Sequence, residues 1–129
     1  MNWLKRICVA TLLVPTLVFA QAWPTKAIRM IVPFPPGGGV DILGRLAAKG
    51  LGDRLGTQVY VENLAGANGS IGAQALMRAA PDGYTMMAIS DGPIVASPFM
   101  VSKSAYDPLR DFVPVAMLAR YPCVLAASP

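Results

Sequence analysis

Apolar and polar positions follow two periods along the chain, and the first element they predict is a buried strand from Ile28 to Val32. The loop that follows reads PFPPGGGVD, from Pro33 to Asp41. Proline cannot donate to a sheet ladder and glycine frees the backbone to turn, so the strand must end here. Apolar residues then recur near the helical period and predict a helix from about Asp41 to Leu55, with Asp41 as its N-cap residue. Gly38 is expected to need a positive φ, and Gly56 to cap the end of the helix.

Further strands and helices alternate along the rest of the chain. This alternation in short units predicts an α/β fold with a parallel, doubly wound sheet. The later elements are a strand Gln58–Asn63, a helix Ser70–Ala80 capped by Ser70 or Asn68, a turn at Pro81–Gly83, a strand Tyr84–Ser90, a helical turn at Pro108–Phe112, and strands Val113–Ala119 and Cys123–Ala127.

Three loops follow the carboxyl ends of successive strands: Phe34–Asp41, Leu64–Ser70 and Ser90–Pro93. In open α/β sheets such loops meet at one edge, where ligands bind. The first loop also leads into a helix N-terminus, whose unpaired N–H groups and dipole favour an anion. The same pattern is equally consistent with a plain turn between the strand and the helix that binds no ligand. It matches neither phosphate-loop spacing nor the G-x-G-x-x-G fingerprint, so a small organic anion is a better candidate than a nucleotide.

The N-terminus predicts a secretory signal peptide over residues 1–22. Lys5 and Arg6 precede an apolar run from Ile7 to Ala20, and Ala20-Gln21-Ala22 is a small-residue cleavage pattern. The apolar run is too short to span a membrane. The mature chain, residues 23–129, is therefore expected to be exported.

Charge and composition exclude several classes of function. The formal net charge is +4, and removal of the signal peptide leaves about +2 on scattered basic residues, so nucleic-acid binding is not expected. The chain has no histidine, and the mature part has one cysteine, Cys123, whose apolar surroundings predict a buried small hydrophobe without a disulfide. Without histidine, a G-x-S-x-G elbow or paired cysteines, we expect no enzymatic activity, no metal site and no cofactor.

Four motifs occur in the order and spacing of one family: PFPPGGGVD, VENLAGANGSIGA, PDGYT and YDPLRDFVPV. From about Trp23 to Pro129 the chain resembles the Bug/TctC receptors, the periplasmic solute-binding proteins of tripartite tricarboxylate transporters. The resemblance implies a two-lobed periplasmic-binding-protein fold that closes on a small carboxylate. It also implies the membrane components of such a transporter as partners.

The resemblance further implies which residues hold the ligand. A ligand carboxylate would be held, with ordered waters, by the backbone of the first loop and by Asp41 at the helix start. The second loop would contribute an N-x-x-G-A-x-G motif, and the third loop more variable contacts. The implied residues are Phe34, Pro36, Gly37, Gly38, Gly39 and Asp41 in the first loop, Asn63, Gly66, Ala67, Gly69 and Ser70 in the second, and Ser90 and Asp91 in the third.

The chain departs from the family pattern at single positions. Leu64 stands where a basic residue is usual, Gly50 where an apolar helix residue is usual, and Asp91 where a neutral polar residue is usual. An acid at position 91 would repel a second carboxylate, or receive a cationic group of an amino-acid-like ligand. A solvated acid at a loop tip is the third interpretation.

The chain ends at Pro129, just after an apolar run that predicts a strand leaving the domain. Members of the family continue through a second lobe, so the resemblance predicts the first lobe only, with an incomplete sheet and the second lobe absent. Such a chain would come from a truncated gene, a pseudogene or a partial sequence. Two functions stay open: a receptor part that binds small carboxylates, and a non-functional remnant that binds no ligand.

We predict that the chain is exported and cleaved after Ala22, because the charged start, the short apolar run and the A-x-A pattern are those that signal peptidase requires. Intact-mass analysis of protein from the periplasm should give a chain that begins at Trp23. Recovery of the uncleaved chain alone, from the cytoplasm, would contradict this prediction.

Overall fold

The computed structural model describes residues 22–96, 100, 105–120 and 124–127. Nearly all of the predicted signal peptide, and Cys123 with its predicted burial, lie outside these residues. Among the described residues, no helix has both the length and the apolar character needed to cross a lipid bilayer.

The central element is β1 (Ile28–Val32), whose bounds agree with the strand predicted from the sequence. It pairs in parallel with β2 (Val59–Asn63) on one side and with β3 (Thr85–Met87) on the other, giving the strand order β2-β1-β3. The register sets Ile28 opposite Val59, and Arg29 opposite both Tyr60 and Thr85. The predicted parallel α/β sheet is confirmed.

Helix α1 (Gly39–Leu55) covers one face of β1. Met30 and Val32 point to this face and form a buried cluster with Ala48 of the helix and with Ala88. Gly56 caps the helix in the left-handed conformation, as predicted.

Helix α2 (Ser70–Met77) covers the opposite face of β1. A methyl group added to Gly72 would lie 2.7 Å from Cβ of Pro33 and 3.2 Å from Cγ2 of Ile31. The helix backbone therefore packs directly against the strand side chains that point away from α1. Two helices on opposite faces of a parallel sheet make the predicted doubly wound arrangement.

Several predicted bounds and caps are wrong. α1 begins two residues before Asp41, since Gly38 is its N-cap residue. α2 ends at Met77, and its N-cap is Gly69, not Ser70 or Asn68. β3 ends at Met87, before the predicted Ser90: its pairing with β1 runs as far as Ile31, whose carbonyl accepts from the N–H of Ala88 over 2.9 Å, and β1 itself ends at Val32.

The segment after β3 folds back onto the third loop. A π-helix, Gly92–Ala96, is followed by the short helix α3 (Pro108–Asp111), which matches the predicted helical turn. The buried Tyr106 donates its hydroxyl hydrogen bond to the carbonyl of Pro93 over 2.8 Å. Burial raises the pKa of the Tyr106 phenol.

The strands predicted at Val113–Ala119 and Cys123–Ala127 are not formed in the residues described there. Val113 and Val115 are 88% and 87% exposed, so their alternation is not matched by a sheet partner in the described part of the chain. A period of two predicts a strand only where a neighbouring strand is available to pair with it.

Two glycines of α1 provide a test of how closely this helix packs on β1. A methyl group at Gly44 would lie 2.8 Å from Cγ2 of Val32, a stiff β-branched side chain, whereas one at Gly50 would meet no atom within 4 Å. We expect Gly44→Ala to destabilise the fold by about 1–3 kcal/mol through overpacking. Gly50→Ala should stabilise it by about 1 kcal/mol, because alanine is the better helix former.

Urea unfolding followed by circular dichroism measures both effects. The two variants make the same chemical change in the same helix, so Gly50→Ala is the control for helix propensity. Equal shifts of the unfolding midpoint in the two variants would show that α1 does not approach β1 as closely as described.

Candidate functional site

The three loops at the carboxyl edge of the sheet are joined by direct contacts. The backbone N–H of Leu64 donates to the carbonyl of Val32 over 2.9 Å, and the side-chain amide of Asn63 donates to the carbonyl of Phe34 over 3.0 Å. These bonds tie the start of the second loop to the first. Gly69 lies close to Pro93: a methyl group added to Gly69 would be 2.9 Å from Cγ of Pro93. This contact joins the second loop to the third.

A buried carboxylate lies beneath the first loop. Asp41 is 2% exposed, and one carboxylate oxygen accepts from the backbone N–H of Gly37 over 2.9 Å and from Nε of Arg45 over 3.0 Å. The other oxygen accepts from the amide of Asn63 over 2.9 Å. Arg45 also donates to the amide oxygen of Asn63 over 3.0 Å. We call Asp41, Arg45 and Asn63 the carboxylate network.

The network holds Asp41 ionised. The hydrogen bonds from Arg45, then Gly37 and then Asn63 lower the pKa of Asp41 from its usual value of 3.8 to about 2. Arg45 is itself half-exposed, so the charge pair lies at the boundary between the core and solvent. The carboxylate is turned inward onto protein donors, so Asp41 is not the N-cap predicted from the sequence.

The predicted conformation of Gly38 is wrong. Its φ of −76° is open to any residue, and the positive φ belongs to Gly37, at +84°. Gly37 reaches this left-handed conformation at the tip of the turn that places its N–H on Asp41. A methyl group added to Gly39 would meet no atom within 4 Å, and one on Gly38 only the carbonyl of Pro35 at 3.6 Å. The backbone is open to solvent at these two residues.

The donors of the first loop can therefore be counted. Pro36 has no N–H, the N–H of Gly37 is used by Asp41, and the carbonyl of Phe34 accepts from Asn63. The side chain of Phe34 packs against the core cluster under α1. The first backbone bond of α1 runs from the N–H of Ile42 to the carbonyl of Gly38, and Gly38 has no side chain that could cap the N–H groups of the first turn, between these two residues. By this count, the N–H groups that remain for a ligand are those of Gly38, Gly39, Val40 and Asp41.

The second loop has an unusual backbone that the sequence did not predict. Gly66, Ala67, Asn68 and Gly69 all have positive φ, from 46° at Ala67 to 133° at Gly66. The left-handed region is costly for alanine, and such strain is concentrated at functional sites. Ala67 and Asn68 belong to a short 3₁₀ helix that runs directly into α2. The half-buried Ser70 has its hydroxyl oxygen 3.3 Å from the amide of Gln74, which donates to it.

The third loop carries the remaining predicted site residues. Ser90 is half-buried and Asp91 is exposed, directly before the π-helix. Pro93 of this segment is fully buried against Gly69. The loop is therefore fixed to the second loop at Pro93.

Sequence reasoning missed Arg45, and it named Asn63 only through its motif. Asp41 and Arg45 have the spacing of an i, i+4 ion pair on a helix, so the sequence did carry a signal for their contact. Nothing local indicates that Asn63, at the end of β2, meets both. This contact depends on the parallel register of β1 and β2.

A shallow groove of about 410 Å³ lies away from the loops, on the flank between α1 and β2. It is lined by Arg45, Ala48, Lys49, Val59, Tyr60 and Val61. Arg45 is paired with Asp41, and Lys49 with Asp53 over 2.6 Å. Because both cations of the groove are already paired, the loop edge is the better candidate for binding an anion.

Comparison with known proteins identifies the family of the chain. Residues 43–129 match the model of the TctC family, described as the tripartite tricarboxylate transporter family receptor. The chain belongs to this family. It is 41% identical over 124 residues to the protein BugT of Bordetella pertussis, covering 95% of this chain and 38% of BugT.

Solved structures give the same result. A Rhodopseudomonas palustris protein solved with adipate is 34% identical, with a TM-score of 0.69 over 72% of this chain and 31% of that one. MatC from Rhodopseudomonas palustris, solved with bound malate, is 33% identical, with a TM-score of 0.63 over 74% of this chain and 33% of MatC. The chain thus spans about a third of the length of these relatives. The TctC family consists of receptors, as the resemblance implied, and the fold is that of a periplasmic binding protein in its first part.

We predict that Asp41→Asn lowers the urea midpoint of unfolding at pH 7. The asparagine NH₂ group would face hydrogen-bond donors that now bond to a carboxylate oxygen, and Arg45 would lose its charged partner. The folded-state pKa of about 2 lies below the usual 3.8, so the carboxylate stabilises the fold fully above about pH 4. Its contribution is lost as the pH falls toward 2. The difference between wild type and variant should shrink over that interval.

The control is Asp53→Asn, which removes an exposed acid from the same helix and should change the midpoint little at any pH. Urea titrations at several pH values measure both variants. A difference between wild type and Asp41→Asn that stays constant down to the lowest pH would contradict the role of the charge.

Proposed function

We propose that this chain is the first lobe of an extracytoplasmic receptor that binds a small carboxylate for a tripartite tricarboxylate transporter. The observation that carries the proposal is the start of α1, whose first N–H groups have no acceptor within the helix and no side-chain cap, in a chain of the TctC family. Residues 1–22 would be its signal peptide, and residues 23–129 its part of the solute-binding domain. The periplasm is the proposed location.

The first loop would bind the ligand through its backbone. A carboxylate that accepts from N–H groups at a helix N-terminus gains charge-assisted hydrogen bonds and the favourable end of the helix dipole. Phe34, Pro36 and Gly37 would shape this loop: the carbonyl of Phe34 and the N–H of Gly37 are bonded to the network, and Pro36 has no N–H. The openness around Gly38 and Gly39 supports close approach of a ligand to the backbone.

The other two loops would complete this side of the binding site. Ala67, Gly69 and Ser70 belong to a second loop with a fixed, strained backbone, which favours a pre-shaped surface over an adaptable one. Ser90 and Asp91 would discriminate among ligands. An acid at position 91 would disfavour a second carboxylate nearby, or select a ligand that also carries a cation.

Adipate and malate are the probes for a test, because relatives have been solved with them. With one set of loops open to water, the chain alone should bind them weakly, in the millimolar range, since little of the ligand is desolvated. A chimera that continues after Pro129 with the C-terminal part of BugT should bind at least one of them about tenfold or more tightly. Calorimetry measures both proteins.

Gly38→Val in this chimera should weaken binding at least about tenfold, or roughly 1.4 kcal/mol, by placing a side chain in the path of the carboxylate. The φ of Gly38 suits valine, so the fold should be retained. Gly50→Val, at an open position far along the same helix, is the control and should bind normally. Unchanged affinity in a folded Gly38→Val chimera would mean that the first loop is only a turn.

A further inference from the structure

The proposed carboxylate site contains an electrostatic conflict. Asp41 is the third residue of α1, so its negative charge lies within one turn of the donors that would bind an anion. An unpaired acid at this position would satisfy the helix dipole itself and repel a second carboxylate. A receptor for carboxylates should therefore either lack this acid or compensate its charge.

The structure contains a compensating charge in Arg45. Its Nε donates to Asp41 over 3.0 Å from one turn further along α1. Among the described residues, Arg45 is the charged group that lies against Asp41, and the other partners, Gly37 and Asn63, are neutral. The carboxylate is turned into the protein, with its two oxygens on three donors. The pair is therefore close to neutral as seen by a ligand above the loop.

The same contacts fix the shape of the loop. Asp41 holds the N–H of Gly37, and Asn63 holds the carbonyl of Phe34 and the free oxygen of Asp41. The two ends of the turn are thus bound to one side-chain network that spans α1 and the end of β2. Because the N–H of Gly37 is bonded to Asp41, the next N–H groups, from Gly38 onward, are those left for a ligand.

We infer that Asp41, Arg45 and Asn63 are positioning residues of the proposed carboxylate site, which fix the first loop and cancel the charge of Asp41 beneath the bound anion. The inference rests on the proposed function. It assigns to Asp41 a role behind the loop, in place of the direct ligand contact that the family resemblance implied. Arg45 would control the affinity of the site for an anion without touching the ligand.

The first experiment needs no ligand. In ¹⁵N–¹H spectra of the chain, the amide signal of Gly37 reports on the charge of Asp41, to which it donates. In wild type this signal should stay constant from pH 7 to about pH 3, because Asp41 remains ionised. In Arg45→Gln the pKa of Asp41 should rise, because the hydrogen bond that lowers it most and the charge of Arg45 are removed, so that the Gly37 signal begins to change within this range.

Arg54→Gln is the matched control, since it removes the same charge from the last turn of the same helix. Its Gly37 signal should behave as in wild type. A Gly37 signal that titrates alike in Arg45→Gln and in Arg54→Gln would overturn the inference.

The second experiment adds adipate or malate and follows the amide signals of Gly38, Gly39 and Val40. Arg45→Gln should weaken the response about tenfold, because the uncompensated Asp41 now repels the anion, and Arg54→Gln should change it less than about twofold. The double variant Asp41→Asn/Arg45→Gln should recover part of the affinity, since it removes the repelling charge along with its partner. A double variant that binds no more tightly than Arg45→Gln would reduce the network to a structural role and overturn the charge compensation.

The two proposals can fail separately. If neither probe moves the loop signals of wild type even at high concentration, the proposed binding of carboxylates fails, and charge compensation of a ligand site fails with it. The Gly37 titration would still decide whether the network positions the loop. If wild type binds and Arg45→Gln binds equally well, the proposed function stands and the inference fails.

Discussion

The burial of β1 on both faces is the constraint on which the rest of the structure depends. A strand covered by a helix on each side must be mostly apolar, and the one charged side chain of β1, Arg29, is paired with Glu62 over 2.6 Å. Each helix must also approach the strand closely. Gly44 of α1 and Gly72 of α2 meet this demand, because neither has a side chain to hold the helix away. The parallel connections then bring the start of both helices to the same edge of the sheet. The position of the candidate site follows from this packing.

The buried carboxylate of Asp41 links that packing to the chemistry of the edge. A charge that is almost wholly excluded from solvent must be paired and hydrogen-bonded, so the elements that supply its partners are held in fixed positions. Those partners come from the first loop, from α1 and from the last residue of β2. The polar network thus fixes the loop where the apolar core ends. Its energetic cost is offset only when all of its partners are present.

Much of the fold could be predicted from the sequence, and the reasons differ among elements. β1 was predicted with its observed bounds because its apolar run ends at prolines that no sheet interior admits. The start of α1 was placed wrongly because an aspartate near a helix start is most often a cap, whereas Asp41 is drawn inward by Arg45 and Asn63. The positive φ was assigned to Gly38 and belongs to Gly37, since three adjacent glycines give no local signal of which one turns. The strand at 113–119 failed because pairing is decided by neighbours that a local pattern does not contain.

The left-handed backbone at Ala67 and Asn68 has a consequence for anyone who would change or transplant this loop. Its shape is held by the glycines on either side and by the packing of Gly69 against Pro33 and Pro93. This packing offsets the free-energy cost of the left-handed conformation when the chain folds. Natural variation at position 67 should therefore be confined to residues that tolerate this conformation, such as glycine, asparagine and aspartate. A graft of the loop onto another scaffold would have to carry Gly66, Gly69 and a matching proline surface with it. Without these glycines and prolines, the same amino-acid sequence would adopt an ordinary turn.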